Sequence, residues 1–191
     1  MADFRLETER LILRDFTSEG DWEAFFRVTN TPAVMEWLGG VFDSSDVGQQ
    51  RARIEQCSAA NGHCFWLVER KHDDGHLAGE VLGFCGLKRA DAPGSTVIGE
   101  MEIGWRLRED AWGKGYAREA AAASLEAGFD KFGAAQIVAL TVADNRPSWG
   151  LMIRLGMRRR EELDYADDRY DPPWRDTIVY SISREEWEQQ Q

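Results

Sequence analysis

The sequence predicts an α+β, or mixed α/β, domain, and three observations carry that reading. Helix-forming segments come early, a hairpin-rich series of short strands follows, and one strand passes through glycines into a long alanine-rich helix and on into another strand. The chain has 191 residues, enough for a substantial core without metal or disulfide staples. No repeat, low-complexity tract or linker divides it, so a single domain over residues 1–191 is expected.

Arg10-Leu11-Ile12-Leu13-Arg14 reads as the first strand. Thr17-Ser18-Glu19-Gly20 then offers a helix start, with Trp22, Phe25 and Phe26 at helical spacing. Residues 32–37 suggest a short second helix. Ser44 or Ser45 can cap a third, reaching about residue 60 with Val47, Ile54 and Cys57 on its buried side. Phe65-Trp66-Leu67-Val68 is a short apolar strand, and the turn chemistry of His72-Asp73-Asp74-Gly75 returns the chain as a hairpin through residues 81–87. Pro93-Gly94 turns it again before a strand at residues 100–107. In the helix that follows, Ala117, Ala121, Leu125, Gly128, Phe129 and Phe132 fall on one stripe, with Gly133 as its C-cap. Residues 137–142 read as a fully buried strand. Pro147 suits the first turn of a helix ending near Gly156. Two last strands are expected around residues 157–163 and 177–183, flanking a loop with Pro172-Pro173.

Bulk composition narrows the function. A hydrophobic fraction of 43% is ordinary for a globular protein, and no run of about eighteen apolar residues suggests a membrane span. The start lacks the layout of a signal peptide. Cys57, Cys64 and Cys85 are an odd count without CxxC spacing, which points to reduced thiols in a cytoplasm. A net charge of −11 argues against nucleic acid, and Arg158-Arg159-Arg160 is offset at once by Glu161-Glu162. His72 and His76 flank a turn rather than a helix, so no metal site is expected; His63-Cys64 lacks a triad partner.

The chemistry concentrates at Trp112-Gly113-Lys114-Gly115-Tyr116-Ala117. A strand turning through two glycines into a helix presents free N–H groups at the positive end of the helix dipole, a ready site for a phosphate or pyrophosphate. The plain alternative is a tight turn and nothing more. The pattern is neither a Walker A loop nor a dinucleotide-binding Gly-x-Gly-x-x-Gly. About thirty residues on come Asn145-Arg146-Pro147-Ser148 and then Leu155-Gly156-Met157, for which a simple helix cap is the plain reading.

Taken together, these blocks resemble the GNAT N-acetyltransferase superfamily, in particular its branch of ribosomal-protein alanine acetyltransferases. Thr8-Glu9-Arg10-Leu11-Ile12-Leu13-Arg14 is similar to that branch's opening strand. Glu102-Ile103-Gly104-Trp105 with the glycine turn resembles its acetyl-CoA motif. The Asn-x-x-Ser and Leu-Gly-Met blocks resemble its later signatures, with Met157 where Phe is usual and Trp112 where the wider superfamily has Gln or Arg. The resemblance implies a GNAT-like fold: a central, mostly antiparallel, twisted sheet of about seven strands, splayed at the acetyl-CoA site and flanked by helices.

It further implies an acetyl-CoA-dependent N-acetyltransferase acting by direct attack of a primary amine in a ternary complex. The pyrophosphate would rest on the N–H groups of Gly113, Lys114, Gly115, Tyr116, Ala117 and Arg118. The pantetheine would pair along Trp105, Arg106 and Leu107 like an added strand, with an N–H near Leu107 polarising the thioester carbonyl. Asn145 would meet pantetheine amides and Ser148 the departing sulfur; Arg154 can meet a CoA phosphate or simply face solvent. Glu102 is the first candidate for the base that takes the amine proton, against a purely structural carboxylate, with Asp164, Asp167 and Asp168 second. The acceptor is a protein N-terminus or a small amine, the protein a monomer or homodimer. A longer acyl donor such as succinyl-CoA, or a non-catalytic CoA-binding module, are the competing readings.

Overall fold

The computed structural model describes residues 4–190. It holds a nine-stranded sheet, formed by β1 (Arg5–Glu7), β2 (Leu11–Arg14), β3 (Phe65–Arg70), β4 (Val81–Arg89), β5 (Met101–Leu107), β6 (Gln136–Val142), β7 (Arg158–Arg159), β8 (Tyr165–Ala166) and β9 (Asp176–Ser183). The order is β1-β2-β3-β4-β5-β6-β9-β7, with β8 also on β9. Every pairing is antiparallel except β5 with β6. That one parallel step follows from the crossover through the alanine-rich helix, as a βαβ connection requires.

Among the described residues six helices flank the sheet: α1 (Glu19–Thr29), α2 (Pro32–Met35), α3 (Ser44–Asn61), α4 (Tyr116–Glu126), α5 (Arg146–Arg154) and α6 (Arg184–Glu188). Ser18 and Asp21 close a capping box on α1, and Asp43 and Asp46 do so on α3, one residue ahead of the expected serines. Asp21 also accepts from Arg14 at 2.7 Å, and Arg14 reaches Glu69 at 2.7 Å, so the cap of α1 is locked to β2 and β3. Helix α4 passes into a π turn at Ala127–Lys131 and stops before Gly133, at φ +68°. Gly128 lets that turn press on the sheet, since a Cβ there would meet Ile137 at 2.6 Å.

The two largest hydrophobic clusters lie on opposite faces, and a third, the smallest, gathers Ala90, Val97, Val138 and Val179. The larger of the two packs Leu125 of α4 and Phe129 of its π turn against Leu11, Leu13, Leu82, Leu87 and Ile103. The smaller sets Trp22 and Phe25 of α1 and Ile54 of α3 against Leu67 and Phe84. The sequence-based elements differ from this at three places. Strand β1 is an exposed three-residue edge with only Leu6 partly covered, too short for a periodic signal. The strand expected over residues 157–163 is two residues long, because Glu161–Leu163 turns as a 3-10 helix before β8 forms. Helix α6, capped by Ser183 and Glu186, was not foreseen.

The parallel pairing of β5 with β6 covers only Met101 with Ile137 and Glu102 with Val138. Beyond it the strands part, and the functional geometry gathers at that opening.

Candidate active site

Past the end of β5, a 3-10 turn at Glu109–Ala111 leads into the glycine turn and α4. Gly113 has φ +70° and Gly115 φ +81°, conformations a β-branched residue resists. No acceptor among the described residues meets the N–H groups of residues 113–118, while the next one, of Glu119, bonds to Gly115 O. Six N–H groups are thus left for a ligand at a helix N-terminus. The turn is fixed from several sides. Trp112 Nε1 donates to Leu107 O at 2.9 Å, pinning it to the tip of β5. The Glu119 carboxylate accepts from the Thr8 hydroxyl and from the Arg10 N–H and Nε, at 2.6 to 2.7 Å. Burial pushes that carboxyl up, but these donors overcome it and hold it below the ordinary range. Arg10 Nη1 reaches Lys114 O at 3.0 Å. Tyr116 is buried, its hydroxyl donating to His76 O and accepting from Arg70 Nε, so it offers a ligand its N–H alone. The Lys114 and Arg118 side chains are exposed.

Alternation decides what β5 presents to the opening. Arg108 N donates to Leu82 O and Ala90 N to Glu100 O, so even-numbered residues turn their backbone groups toward β4. Trp105 and Leu107 therefore turn theirs into the gap, where no strand pairs with them. Arg106, expected with them on the open edge, does not lie there: its backbone faces β4 opposite Phe84. Its side chain instead enters a chamber on the α1 and α3 face of the sheet, whose lining also includes Glu102 and, across the strand pair from it, Lys88.

The chamber and the gap form one cleft of about 860 Å³. Phe42, Phe65 and Phe84 line its floor, and Trp37, Tyr165 and Tyr170 stand around it. Trp174 Nε1 donates to Glu36 O at 2.7 Å, tying the β8–β9 loop to the segment after α2 at the rim. Glu102 Oε2 is buried, 3.0 Å from Lys88 Nζ but out of line for a hydrogen bond. Burial pushes the Glu102 carboxyl up, against the pull of Lys88. Burial works the other way on the Lys88 ammonium, yet Glu102 and Asp91 prevail and keep it charged. The three acidic second candidates separate. Asp167 faces the cleft but is held by Arg169 at 2.6 Å and pulled below the ordinary carboxylate range. Asp164 pairs with Arg159 and Asp168 with Arg175, and neither lines the cleft.

At the other wall, Asn145 caps α5: its Oδ1 accepts from Ser148 N at 3.4 Å, and its Nδ2 donates to Thr141 Oγ1 at 3.0 Å. The plain helix-cap reading is thus realised in the side chain. The Ser148 hydroxyl makes no hydrogen bond to a described residue, and Ser148, Asn145 and Arg154 all line the cleft. Sequence reasoning missed the Trp112 strut, the Lys88 partner of Glu102 and the inward Arg106 side chain. Only the period-two alternation of β5 could have signalled the last. Among the described residues no group of His, Cys, Asp and Glu is arranged to hold a metal, and no helix is long and apolar enough to cross a membrane.

Comparison with known proteins bears on this geometry. A family model described as an acetyltransferase (GNAT) domain matches residues 10–158. The Bacillus subtilis protein named uncharacterized N-acetyltransferase YnaD is 31% identical over 185 residues, covering 95% of this chain and 98% of its own length. The crystal structure of a GNAT-family acetyltransferase from Bacillus anthracis is 28% identical, with a TM-score of 0.71 over 95% of this chain and 99% of that one. The ribosomal-protein-S5-alanine acetyltransferase of Vibrio fischeri shares the fold, with a TM-score of 0.72 over 97% of this chain and 99% of its own at 18% identity.

Proposed function

The chain belongs to the GNAT acetyltransferase family, and on that premise we propose that it moves an acetyl group from acetyl-CoA to a primary amine by direct attack in a ternary complex. The observation that carries this reading is the parting of β5 from β6 beside six unpaired N–H groups at the start of α4. A pyrophosphate suits those N–H groups. A pantetheine arm suits the backbone groups that Trp105 and Leu107 turn into the gap, which it would pair with as an added strand. The thioester then lies in the gap, its carbonyl oxygen receiving an N–H from β5 as charge develops there.

The amine approaches from the chamber. Its nitrogen attacks the thioester carbon, the C–S bond breaks, and an amide and a CoA thiol result. The amine proton passes to Glu102, directly or through water. The departing sulfur takes a proton from the Ser148 hydroxyl, which water replenishes. Trp105, Leu107, Gly113, Lys114, Gly115, Ala117 and Arg118 hold the donor in this reading, and Tyr116 contributes only its N–H. Asn145 acts by orienting the start of α5 and Ser148 on it. Three free thiols, Cys57, Cys64 and Cys85, fit work in a cytoplasm.

The test is thiol release from acetyl-CoA over polyamines, amino acids, aminoglycosides and N-terminal peptides. Acetyl-CoA-dependent release with at least one class is the expected result. Tight CoA binding with no release across the panel would leave a non-catalytic CoA-binding protein.

A further inference from the structure

Arg106 is a chamber residue to which the reaction above gives no work, and its state is costly. The residue is 7% exposed, and its Nε and Nη1 are buried with no hydrogen-bond partner among the described residues. No carboxylate among the described residues lies within ion-pair reach of it. Three rings surround the guanidinium, Phe25, Phe42 and Phe84, at 5.2 to 5.8 Å from its carbon. Ring faces attract a cation, but they accept no in-plane N–H bonds. Burial pushes the guanidinium down to about 10, so it is still a cation at neutral pH. A buried cation left without a counter-ion is strongly unfavourable unless something else supplies the charge.

We infer that Arg106 is the anchor for a carboxylate carried by a small-molecule substrate in the chamber. This rests on the acetyltransferase reading for the identity of the chamber. One guanidinium balances one negative charge and matches a carboxylate with paired, directed N–H groups. A phosphate dianion would leave excess charge against the three phenylalanines, and a neutral group would leave the cation uncompensated. The rim contact between Trp174 and Glu36, and the Tyr170 ring 3.2 Å from where a Cβ on Gly39 would sit, bound the chamber toward something small. Glu102 stands four residues away on the same face of β5, about 13 Å between Cα atoms. The carboxylate and the reacting centre are therefore separate points of attachment. Two sources share this chemistry: an amino acid as acceptor, or a dicarboxylic acyl group such as succinyl on the donor.

The experiment crosses both sources. Wild type, Arg106→Met and Arg106→Lys are assayed for thiol release with acetyl-CoA and with succinyl-CoA. The acceptors are glutamate, β-alanine and 4-aminobutyrate, each beside its carboxamide, and putrescine. If the acceptor bears the carboxylate, wild type shows a KM at least about tenfold lower for an acid than for its amide. That gap closes in Arg106→Met and partly returns in Arg106→Lys. If the acyl group bears it, the same pattern appears as preference for succinyl-CoA over acetyl-CoA with putrescine. Equal use of acid and amide by wild type, with no preference between donors, overturns the inference and leaves the acetyltransferase reading standing. So does a preference that survives in folded Arg106→Met. If no pair releases thiol, the acetyltransferase reading is decided by the wider acceptor panel, and calorimetry decides Arg106 separately. Succinate or glutamate binding CoA-loaded wild type tighter than succinamide or glutamine upholds the anchor; equal binding removes it.

Discussion

Glu102 and Ser148 carry the two proton transfers of the reaction. Burial holds the Glu102 carboxyl above the ordinary carboxylate range, so it serves as a base only once the pH exceeds that raised value. Below it, wild type and Glu102→Gln should be equally slow. Above it, wild type has its base while the variant waits for amines that are already neutral, a fraction that grows tenfold per pH unit. The variant's deficit should therefore peak just above the Glu102 pKa, at about 10²–10⁴-fold. It should shrink as the pH nears the pKa of the amine. A variant whose pH–rate profile parallels wild type would hand proton removal to solvent, since Asp167 is already held by Arg169. Ser148 presents a hydroxyl with no partner of its own, so Ser148→Ala should lower kcat while acetyl-CoA affinity changes less than twofold or so, subject to water filling its place. Equal losses in affinity and kcat would return Ser148 to the first turn of α5 as a packing residue.

At the scale of elements, the turn into α4 and the edge of β5 each make a prediction. Gly115→Val puts a β-branched side chain at φ +81°, within 3.3 Å of Arg10. It should abolish CoA binding seen by calorimetry while circular dichroism still reports the fold. Unchanged affinity in a folded variant would detach the turn from the donor. Along β5, amide exchange should alternate: Trp105 and Leu107 exchange fast without CoA and slow with it, whereas Arg106, bonded toward β4, is protected in both. How much of this was legible in the sequence follows the same divide. Strong local signals, the capped α1, the β3–β4 hairpin and the glycine turn into α4, could be read because the deciding residues are neighbours in the chain. Strand β1 and the break after β7 could not, since an edge of Arg5-Leu6-Glu7 and a run of Arg158-Arg159-Arg160 carry no apolar period. Placing Arg106 on the open edge treated three consecutive residues alike. Which side each faces is set by the register with β4, a tertiary fact, and that register sends its side chain into the chamber.

The whole molecule is two partial sheets, β1 to β5 and β6 to β9, joined edge to edge by two residue pairs. Helix α4 covers β4 and β5, and its π turn reaches across to Ile137, reinforcing the joint from one face. Beyond Glu102 no strand pairing joins β5 to β6 among the described residues, so a molecule lying in the gap binds to the folded, splayed arrangement and not to the unfolded chain. Linkage then requires that it raise stability. At a CoA concentration of a hundred times Kd the gain is about 2.7 kcal/mol. In a domain of 150–250 residues that corresponds to a rise in Tm of roughly 5–10 °C. Desulfo-CoA, which cannot react, should give nearly the same shift, because the pyrophosphate cradle and the edge of β5 supply the contacts. Adenosine alone should give little, since it reaches neither. A scan in which CoA leaves Tm unmoved at saturating concentration would mean that the opening between β5 and β6 is not where this chain holds its donor. The six unpaired N–H groups of residues 113–118 would then be a tight turn and nothing more.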